Sequence, residues 1–406
     1  MIACLISAPI LQAQAEATLA EDSRSFQSWL ADFKLRALSE GISAATLEKA
    51  LHNLVPSEQI LQSDRKQPEF TRTFFQYLEA AVSPLRVENG KIQYQNQRAL
   101  LEEVEQKYGV PGAYLVAFWG METNYGRFTG NLPIIQSLAT LAYDPRRSAF
   151  FSQELLAALR ILDRGDVPLE QMQGSWAGAM GQVQFMPSNY LKYAIDGDGD
   201  GKVNLWSSVP DALHSAGYFL QQLGWQPNQD WGLEVQLPSD FDFALADGKT
   251  PRPLQDWQAM GVRDAQGKTL DANYAQNPRL VLPSDYRGPA FLVFDNFRVI
   301  RRWNNSSHYA IAVGYLADQL RNKAALSKSR PTDDQGLSLI EIKELQTQLS
   351  QRGYAVGEVD GIIGGQTRAA IRAFQQQYGL PADGYPSIKL LNQLRTTPSK
   401  SSLEPS

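Results

Sequence analysis

Apolar residues recur at helical spacing over most of the first half of the chain. Phe26, Trp29, Leu30 and Phe33 share one face, and Ser43 ahead of Ala44, Ala45 and Leu47 predicts a capped restart. Phe70, Phe74, Tyr77 and Leu78 make a second apolar face, which core packing alone explains. Asn96 to Tyr108 predicts a further helix with Leu100, Leu101, Val104 and Tyr108 on one side. Asp144-Pro145 opens another, through Phe150, Phe151, Leu155, Leu156 and Leu159. One stretch breaks the amphipathic pattern. Pro111 to Gly126, PGAYLVAFWGMETNYG, carries Leu115, Val116, Phe118 and Trp119 around most of its circumference, the mark of a buried helix. Pro111 suits the first turn, where its missing N–H costs nothing. Glu122 closes the stretch in an aromatic setting. A buried carboxylate has to be paired or to carry a proton; a helix-end Glu turned to solvent or a salt bridge is the plainer alternative.

Beyond Gly174 the run GSWAGAMGQVQFMPSNYL has too many apolar residues for a random loop and too much glycine for a helix. It predicts a tightly packed turn leading into a helix, with Ser175, Gln182 and Gln184 as candidate ligands of a polar substrate. DGDGDGKVNLW follows, Asp196 to Trp206, with carboxylates at alternate positions as in the first half of a calcium loop. The closing Glu of such a loop is replaced by Ser207, and Asp211 at the head of the next helix is the candidate substitute. An acidic solvated turn is the alternative. LEVQLP, RLVLP and FLVFDNFRVI, separated by Gly and Pro, predict strands of a small β subdomain. The chain then returns to a helix around Tyr309, Ala310, Ala312, Val313, Tyr315 and Leu316, preceded by WNNSSHY, which suits a sugar-contacting loop or an ordinary cap.

Composition narrows the function classes. The chain has 406 residues, too many for one compact core, and a net charge of −5, which argues against a nucleic-acid surface. A single cysteine, Cys4, and three dispersed histidines, His52, His214 and His308, exclude a zinc site, a cysteine nucleophile and a disulfide framework. Residues 1–15, MIACLISAPILQAQA, resemble the apolar core of an export signal with a cleavage site at Ala13-Gln14-Ala15. They lack the usual basic start, which suggests a truncated signal, and Cys4 would leave with them. No later stretch approaches the ~20 apolar residues of a membrane span. The expected domains are a catalytic domain over 16–326, a polar linker over 327–336, a small helical domain over 337–396 and a disordered tail over 397–406.

METNYG, SWAGAMGQVQFMP, the Asp/Gly loop with NLW, and NNSSHY occur in an order that strongly resembles the lytic transglycosylase B family of peptidoglycan-cleaving enzymes, over most of 25–322. LQTQLSQRGY, VDGIIGGQTRAAIRAFQ and YGLPADG resemble a peptidoglycan-binding domain of the three-helix type. The resemblance implies an α+β, mainly α protein: a lysozyme-like catalytic core with a small β subdomain, plus a separate small three-helix C-terminal domain. It implies Glu122 as the sole catalytic carboxylate. Ordinary glycosidases hold two carboxylates at a set separation, and the neighbourhood of Glu122 supplies one. One suffices if it protonates the leaving oxygen and later removes a proton from the sugar's own hydroxyl. In the family that is the 6-hydroxyl of N-acetylmuramic acid, which attacks C1, breaks the β-1,4 bond to N-acetylglucosamine and leaves a 1,6-anhydro end. The 2-acetamido group can stabilise the cationic centre meanwhile. Burial against Phe118, Trp119 and Tyr125 would help Glu122 hold its proton.

Other roles follow from the resemblance one residue at a time. Ser175 matches the position that orients the acid and the acetamido group, and Gln184 the glutamine lining the cleft beside it. Tyr218, Asn304, Tyr309 and Tyr77 match polar and aromatic cleft positions. Asp196, Asp198, Asp200 and Asp211, with the backbone carbonyl of Lys202, match a structural cation loop, with calcium as the expected ion and no cofactor for catalysis. Trp176 stands where Tyr is frequent, and one extra residue lies between Trp206 and Asp211. The implied partners are peptidoglycan glycan strands in the periplasm, with no nucleic acid. Protein partners, expected among cell-wall synthesis or division proteins, carry no motif of their own. A hydrolytic muramidase using a second carboxylate and a non-catalytic wall-binding scaffold are the competing readings.

Overall fold

The computed structural model describes residues 26–65, 72–274 and 277–397. The expected export signal and the tail beyond Thr397 lie outside them. The chain divides into two compact units: the part before Pro68 together with Glu122–Phe219, and Pro68–Met121 together with everything from Leu220 onward. It is mostly helical with small sheets.

The first unit is built on the hairpin of helices Ile134–Tyr143 and Ser148–Asp163. The Ile134–Tyr143 helix is buried almost throughout because apolar residues surround it on nearly every side. The predicted start at Asp144-Pro145 is displaced to Ser148. Asp144 instead accepts a hydrogen bond from the Arg146 amide at 3.0 Å, which fixes a turn. Arg146 and Arg147 both pair with Asp64 of the Glu58–Arg65 helix, so two arginines clamp that helix to the turn. Ser43 caps the Ala44–Leu51 helix as predicted, accepting from the Thr46 amide at 3.2 Å. Glu154, buried in the long helix, accepts from the Ser188 amide at 2.9 Å and from its hydroxyl at 2.7 Å. A carboxylate at that place satisfies the open donors at the start of the Pro187–Tyr193 helix. Strands β1 (Leu132–Pro133) and β2 (Gln173–Gly174) pair antiparallel beside these helices.

The second unit holds the helices Phe74–Ala81, Pro84–Asn96 and Arg98–Tyr108 and most of the Gly112–Thr123 helix. The expected helix over 96–108 is cut by Gln97, whose backbone ends one helix and starts the next. Strands β3 (Gly232–Gln236), β4 (Arg263–Asp264), β5 (Arg279–Val281) and β6 (Ala290–Val293) form an antiparallel sheet in the order β4-β3-β6-β5, with Leu233 and Leu280 both opposite Leu292. Trp257, Leu270, Leu280 and Leu292 fill the core of this subdomain. The strand expected through FLVFDNFRVI ends at Val293, and Asp295–Trp303 is a helix. Phe297, Val299 and Ile300 face inward while Asp295, Arg298 and Arg302 face out, so the period of 3.6 prevails over β propensity.

Tyr114 ties the start of the Glu122 helix to this subdomain. Its hydroxyl donates to Asp230 at 3.1 Å and accepts from the Trp231 amide at 3.1 Å, and Arg321 and Lys323 hold Asp230 at 2.8 Å each. Burial opposes the Asp230 charge, but the hydrogen bond from Lys323 and the charge of Arg321 outweigh it and hold its carboxyl below the ordinary range.

The segment 327–336 carries no helix or strand, yet it is not loose. Ser327 donates through its amide and its hydroxyl to Glu234 at 2.8 Å each, Thr73 donates to Asp334 at 2.7 Å, and Arg287 pairs with Asp333 at 2.9 Å. Three helices follow, Leu339–Gln351, Gly365–Gln377 and Ile388–Thr396, around Ile342, Leu345, Leu349, Phe374 and Leu391. Asp360 and Gly361 build the turn between the first two. Buried Gln346 accepts from the Gly361 amide at 2.9 Å and donates to Asp360 at 3.1 Å.

A Cβ at Gly314, within the Ser307–Leu320 helix, would stand 2.3 Å from the ring of fully buried Trp231. Gly314→Ala is expected to lower stability by about 2 kcal/mol through overpacking, measured by urea unfolding. An unchanged midpoint would mean that the helix moves off the ring at no cost.

Candidate functional site

Glu122 sits in the last turn of the Gly112–Thr123 helix and is half-buried. The helix ends abruptly, with Asn124, Tyr125 and Gly126 all in the left-handed region at φ 50°, 62° and 78°. Two of these are not glycine, so the exit is strained by on the order of 1–2 kcal/mol per residue. Buried Thr123 holds it: the hydroxyl donates to the Gln182 carbonyl at 2.7 Å and accepts from the Gly126 amide at 3.0 Å. Gln182, a candidate ligand in the sequence, is itself buried beneath this exit. Its side-chain oxygen would lie 2.5 Å from any Cβ at Gly126. It shapes the exit of the Glu122 helix.

The glycine-rich stretch is a folded turn. Ser175 closes it, exchanging backbone bonds with Ala179 at 2.9 Å and Gly178 at 3.0 Å and accepting from the Ala179 amide through its hydroxyl at 3.0 Å. Met180 and Phe185 pair next, at 2.8 and 3.0 Å. The glycines are required by contact: a Cβ at Gly130 or Gly174 would lie 2.1 Å from the backbone oxygen of Gly174 or Ala179 respectively. Gln184, at φ 50°, donates its side-chain amide to Thr129 O at 3.0 Å and Gly181 O at 2.9 Å. Both amide hydrogens are thus engaged, and its carbonyl oxygen is the remaining polar atom of the side chain. Tyr218 is half-buried with its ring 6.2 Å from that of Tyr193.

In the acidic loop one carboxylate oxygen each from Asp196, Asp198 and Asp211 fall within 4.8 Å of one another. Backbone amides aim these groups: Gly199 and Gly201 donate to Asp196, Gly197 and Asn204 to buried Asp211, at 2.6–2.8 Å. Asp200 and Lys202 are exposed further along, the Asp200 carboxylate accepting from the Lys202 amide at 2.8 Å.

In the second unit Phe118 packs against Trp303 and Tyr309, with ring centroids 4.5 and 6.3 Å apart. Tyr77, Asn304 and Tyr309 line one concavity of about 570 Å³. His308 lines it too, its ring 5.9 Å from Tyr77 and its Nε2 3.3 Å from the Pro283 carbonyl. Burial first, and then the positive charge of Arg368, push the His308 pKa down to about 4, so the ring is neutral near pH 7.

The structure places Glu122, Ser175 and Gln184 in one unit, where Thr123–Gln182 and Gln184–Thr129 bonds tie the Glu122 exit to the glycine-rich segment, and Tyr77, Asn304 and Tyr309 in one concavity of the other. Sequence reasoning missed Thr123, whose role needs a partner about sixty positions away. It also missed His308, Arg301 and Arg368, although His308 lies inside the NNSSHY motif.

Comparison with known proteins identifies the family. Residues 25–318 match the family described as Transglycosylase SLT domain, and residues 340–394 match a peptidoglycan binding domain. Membrane-bound lytic murein transglycosylase B of Escherichia coli (strain K12) is 32% identical over 291 residues, 70% of this chain and 77% of that protein. The crystal structure of SltB3 from Pseudomonas aeruginosa in complex with NAG-anhNAM-pentapeptide superimposes with a TM-score of 0.88 at 48% identity, covering 91% of this chain and 99% of that one. The Escherichia coli lytic transglycosylase Slt35 in complex with calcium gives 0.62 at 28% identity over 73% of this chain and 93% of that one.

Thr123→Val removes both hydroxyl bonds at the helix exit at nearly constant volume. It is expected to cost about 2 kcal/mol in chemical unfolding, because a buried donor and acceptor lose their partner. Thr123→Ser, which keeps the hydroxyl, is expected to recover most of that loss, and equal losses in the two variants would remove the claim.

Proposed function

The chain belongs to the transglycosylase SLT family and is a peptidoglycan lytic transglycosylase, and we propose that Glu122 is its sole catalytic acid. The observation that carries this reading is the fate of the other acids. Every buried carboxylate among the described residues of the unit that holds Glu122 has a structural partner: Asp64 and Asp144 pair with arginines, Glu154 with Ser188, and Asp211 with two backbone amides. Glu122 stands half-exposed on a helix exit whose strain is maintained by Thr123.

In the first step protonated Glu122 gives its proton to the glycosidic oxygen between N-acetylmuramic acid and N-acetylglucosamine as the C1–O bond breaks. The substrate's 2-acetamido oxygen bonds to the cationic C1. In the second step the Glu122 carboxylate takes the proton of the 6-hydroxyl, O6 bonds to C1, and the acetamido group leaves. The acid is regenerated, no water is consumed, and a 1,6-anhydro end remains. Ser175 and Gln184 orient the acid and the acetamido group, while Tyr218, Tyr77, Asn304 and Tyr309 contact sugar. SltB3 is described in complex with NAG-NAM-pentapeptide, and we extend peptide-bearing glycan strands to this chain as its substrate. The loop of Asp196, Asp198 and Asp211, all hard oxygen donors, suits calcium, which would pin the segment after Gln184 and take no part in the chemistry; Asp200 and the Lys202 carbonyl complete our assignment. Domain bounds of 16–326 and 337–396 and a periplasmic location fit this substrate. Among the described residues no helix is long and apolar enough to cross a membrane.

Glu122→Gln is expected to slow release of muropeptides from purified sacculi about a thousandfold, within the usual span for loss of an acid catalyst. Mass spectrometry of parent digests should show anhydro ends, lighter by one water than reducing ends. Reducing ends would favour a hydrolytic muramidase, and unchanged rates in Glu122→Gln would remove the acid. Calcium at a hundred times its Kd should add about 2.7 kcal/mol to stability. A thermal midpoint that stays fixed through a calcium titration, or shifts equally in Asp211→Asn, overturns the ion assignment.

A further inference from the structure

The concavity that holds Tyr77, Asn304 and Tyr309 is also lined by Leu337, Ile363, Arg368 and Tyr385 of the C-terminal region. Its lining includes Arg72, Arg301 and Arg368 and no aspartate or glutamate, although the chain as a whole is acidic.

Among the described residues, two of these cations form no ion pair. Arg301 donates to Asn305 at 2.7 Å, while its Nε is buried without an acceptor. Among the described residues no carboxylate forms an ion pair with Arg368. The acids nearest in the fold are spent elsewhere. Asp334 is taken by Thr73 and Arg330, and Asp383 accepts from Gln375 at 2.7 Å and from the Tyr286 and Tyr385 amides. Burial, and then Arg372, pull the Arg368 pKa below the ordinary guanidinium value, with Tyr385 and Asp383 acting the other way. A guanidinium stays protonated at neutral pH regardless. Half-buried positive charge without a counter-ion is costly, and a carboxylate arriving there relieves it.

We infer that this concavity is a carboxylate-binding site, with Arg368 as its principal cation and Arg301 and Arg72 in support, that takes the carboxylates of the peptide stems attached to the glycan. The inference rests on the reading above that peptide-bearing glycan is the substrate. The neutral His308 ring and the Tyr77 and Tyr309 rings supply the apolar wall against which a peptide backbone can lie.

The test compares three soluble glycan preparations: strands with native stems, strands whose stem carboxylates have been converted to amides, and strands stripped of stems, where the lactyl carboxylate is the remaining acid. The parent protein is expected to prefer native over amidated strands about tenfold in kcat/KM, mostly through KM, the size of one charge-assisted contact. Arg368→Gln should bring that ratio close to one, and Arg368→Lys should keep most of it. Matching thermal midpoints show that the variants are folded. A parent ratio near one, or a ratio unaltered in Arg368→Gln, overturns the inference. So does an Arg368 dependence seen on stripped strands alone, which would assign the site to the lactyl group. Absence of anhydro products from every preparation would instead overturn the proposed reaction.

Discussion

The candidate site depends on one hydroxyl. Thr123 is where a helix apolar up to Glu122 stops, and three successive left-handed residues carry the chain away from it. Without a compensating interaction that conformation would relax by letting the helix run on or fray, and Glu122 would move with it. The Thr123 hydroxyl supplies the compensation twice, as donor to Gln182 and as acceptor from Gly126. Gln182, the first of these partners, is also the reason position 126 must be glycine, because its side chain fills the space a Cβ would need. The strain and the packing therefore enforce each other.

The same logic explains the glycine density after Gln173. Gly130 lies against the Gly174 backbone, Gly174 against Ala179, Gly178 against Leu138 and Gly181 against Leu205. Each contact is backbone or core at under 3 Å from a hypothetical Cβ, so the turn is locked by what is absent from its side chains. Gln184 then converts this locked turn into a strut, spanning the Gly181 and Thr129 carbonyls. A site that works with one acid needs that acid and its neighbours placed without freedom, since no second carboxylate corrects the alignment.

Much of this could be read from the chain. Helix faces with strong period, the Ser43 cap, the acidic loop, the strands and a small helical C-terminal region follow from local rules, which act over a few residues; that this region has three helices was implied by the resemblance. Glu122, Ser175 and Gln184 stood out because their neighbours, an apolar helix and a run of glycines, were unusual. What failed was tertiary. FLVFDNFRVI turns helical after Val293, where the 3.6 period of Phe297, Val299 and Ile300 is joined by bonds from Asn296 to the Gln226 and Gln229 backbone, partners some seventy positions away. Asp144 begins a turn and not a helix because Arg146 and Asp64 compete for the local bonds. Gln182 looked like a ligand because an amide is polar wherever it lies; only burial distinguishes a strut from a contact.

The segment 327–336 shows the cost of reading composition as flexibility. A polar, Pro-containing stretch suggested a free tether that would raise local substrate concentration. Its residues are instead fixed by Glu234, Thr73 and Arg287. A tether gains affinity through proximity and is indifferent to geometry. A pinned connection forgoes that tolerance and places Leu337 and Arg368 at fixed distances from Asn304 and Tyr309. Under the carboxylate-site inference, the C-terminal region would act on substrate through shape and charge at one wall. That is the condition under which an unpaired Arg368 is a cost worth retaining: a loose domain would lose the buried position that makes its charge felt, and a solvated arginine would attract a carboxylate weakly, by at most about 1 kcal/mol.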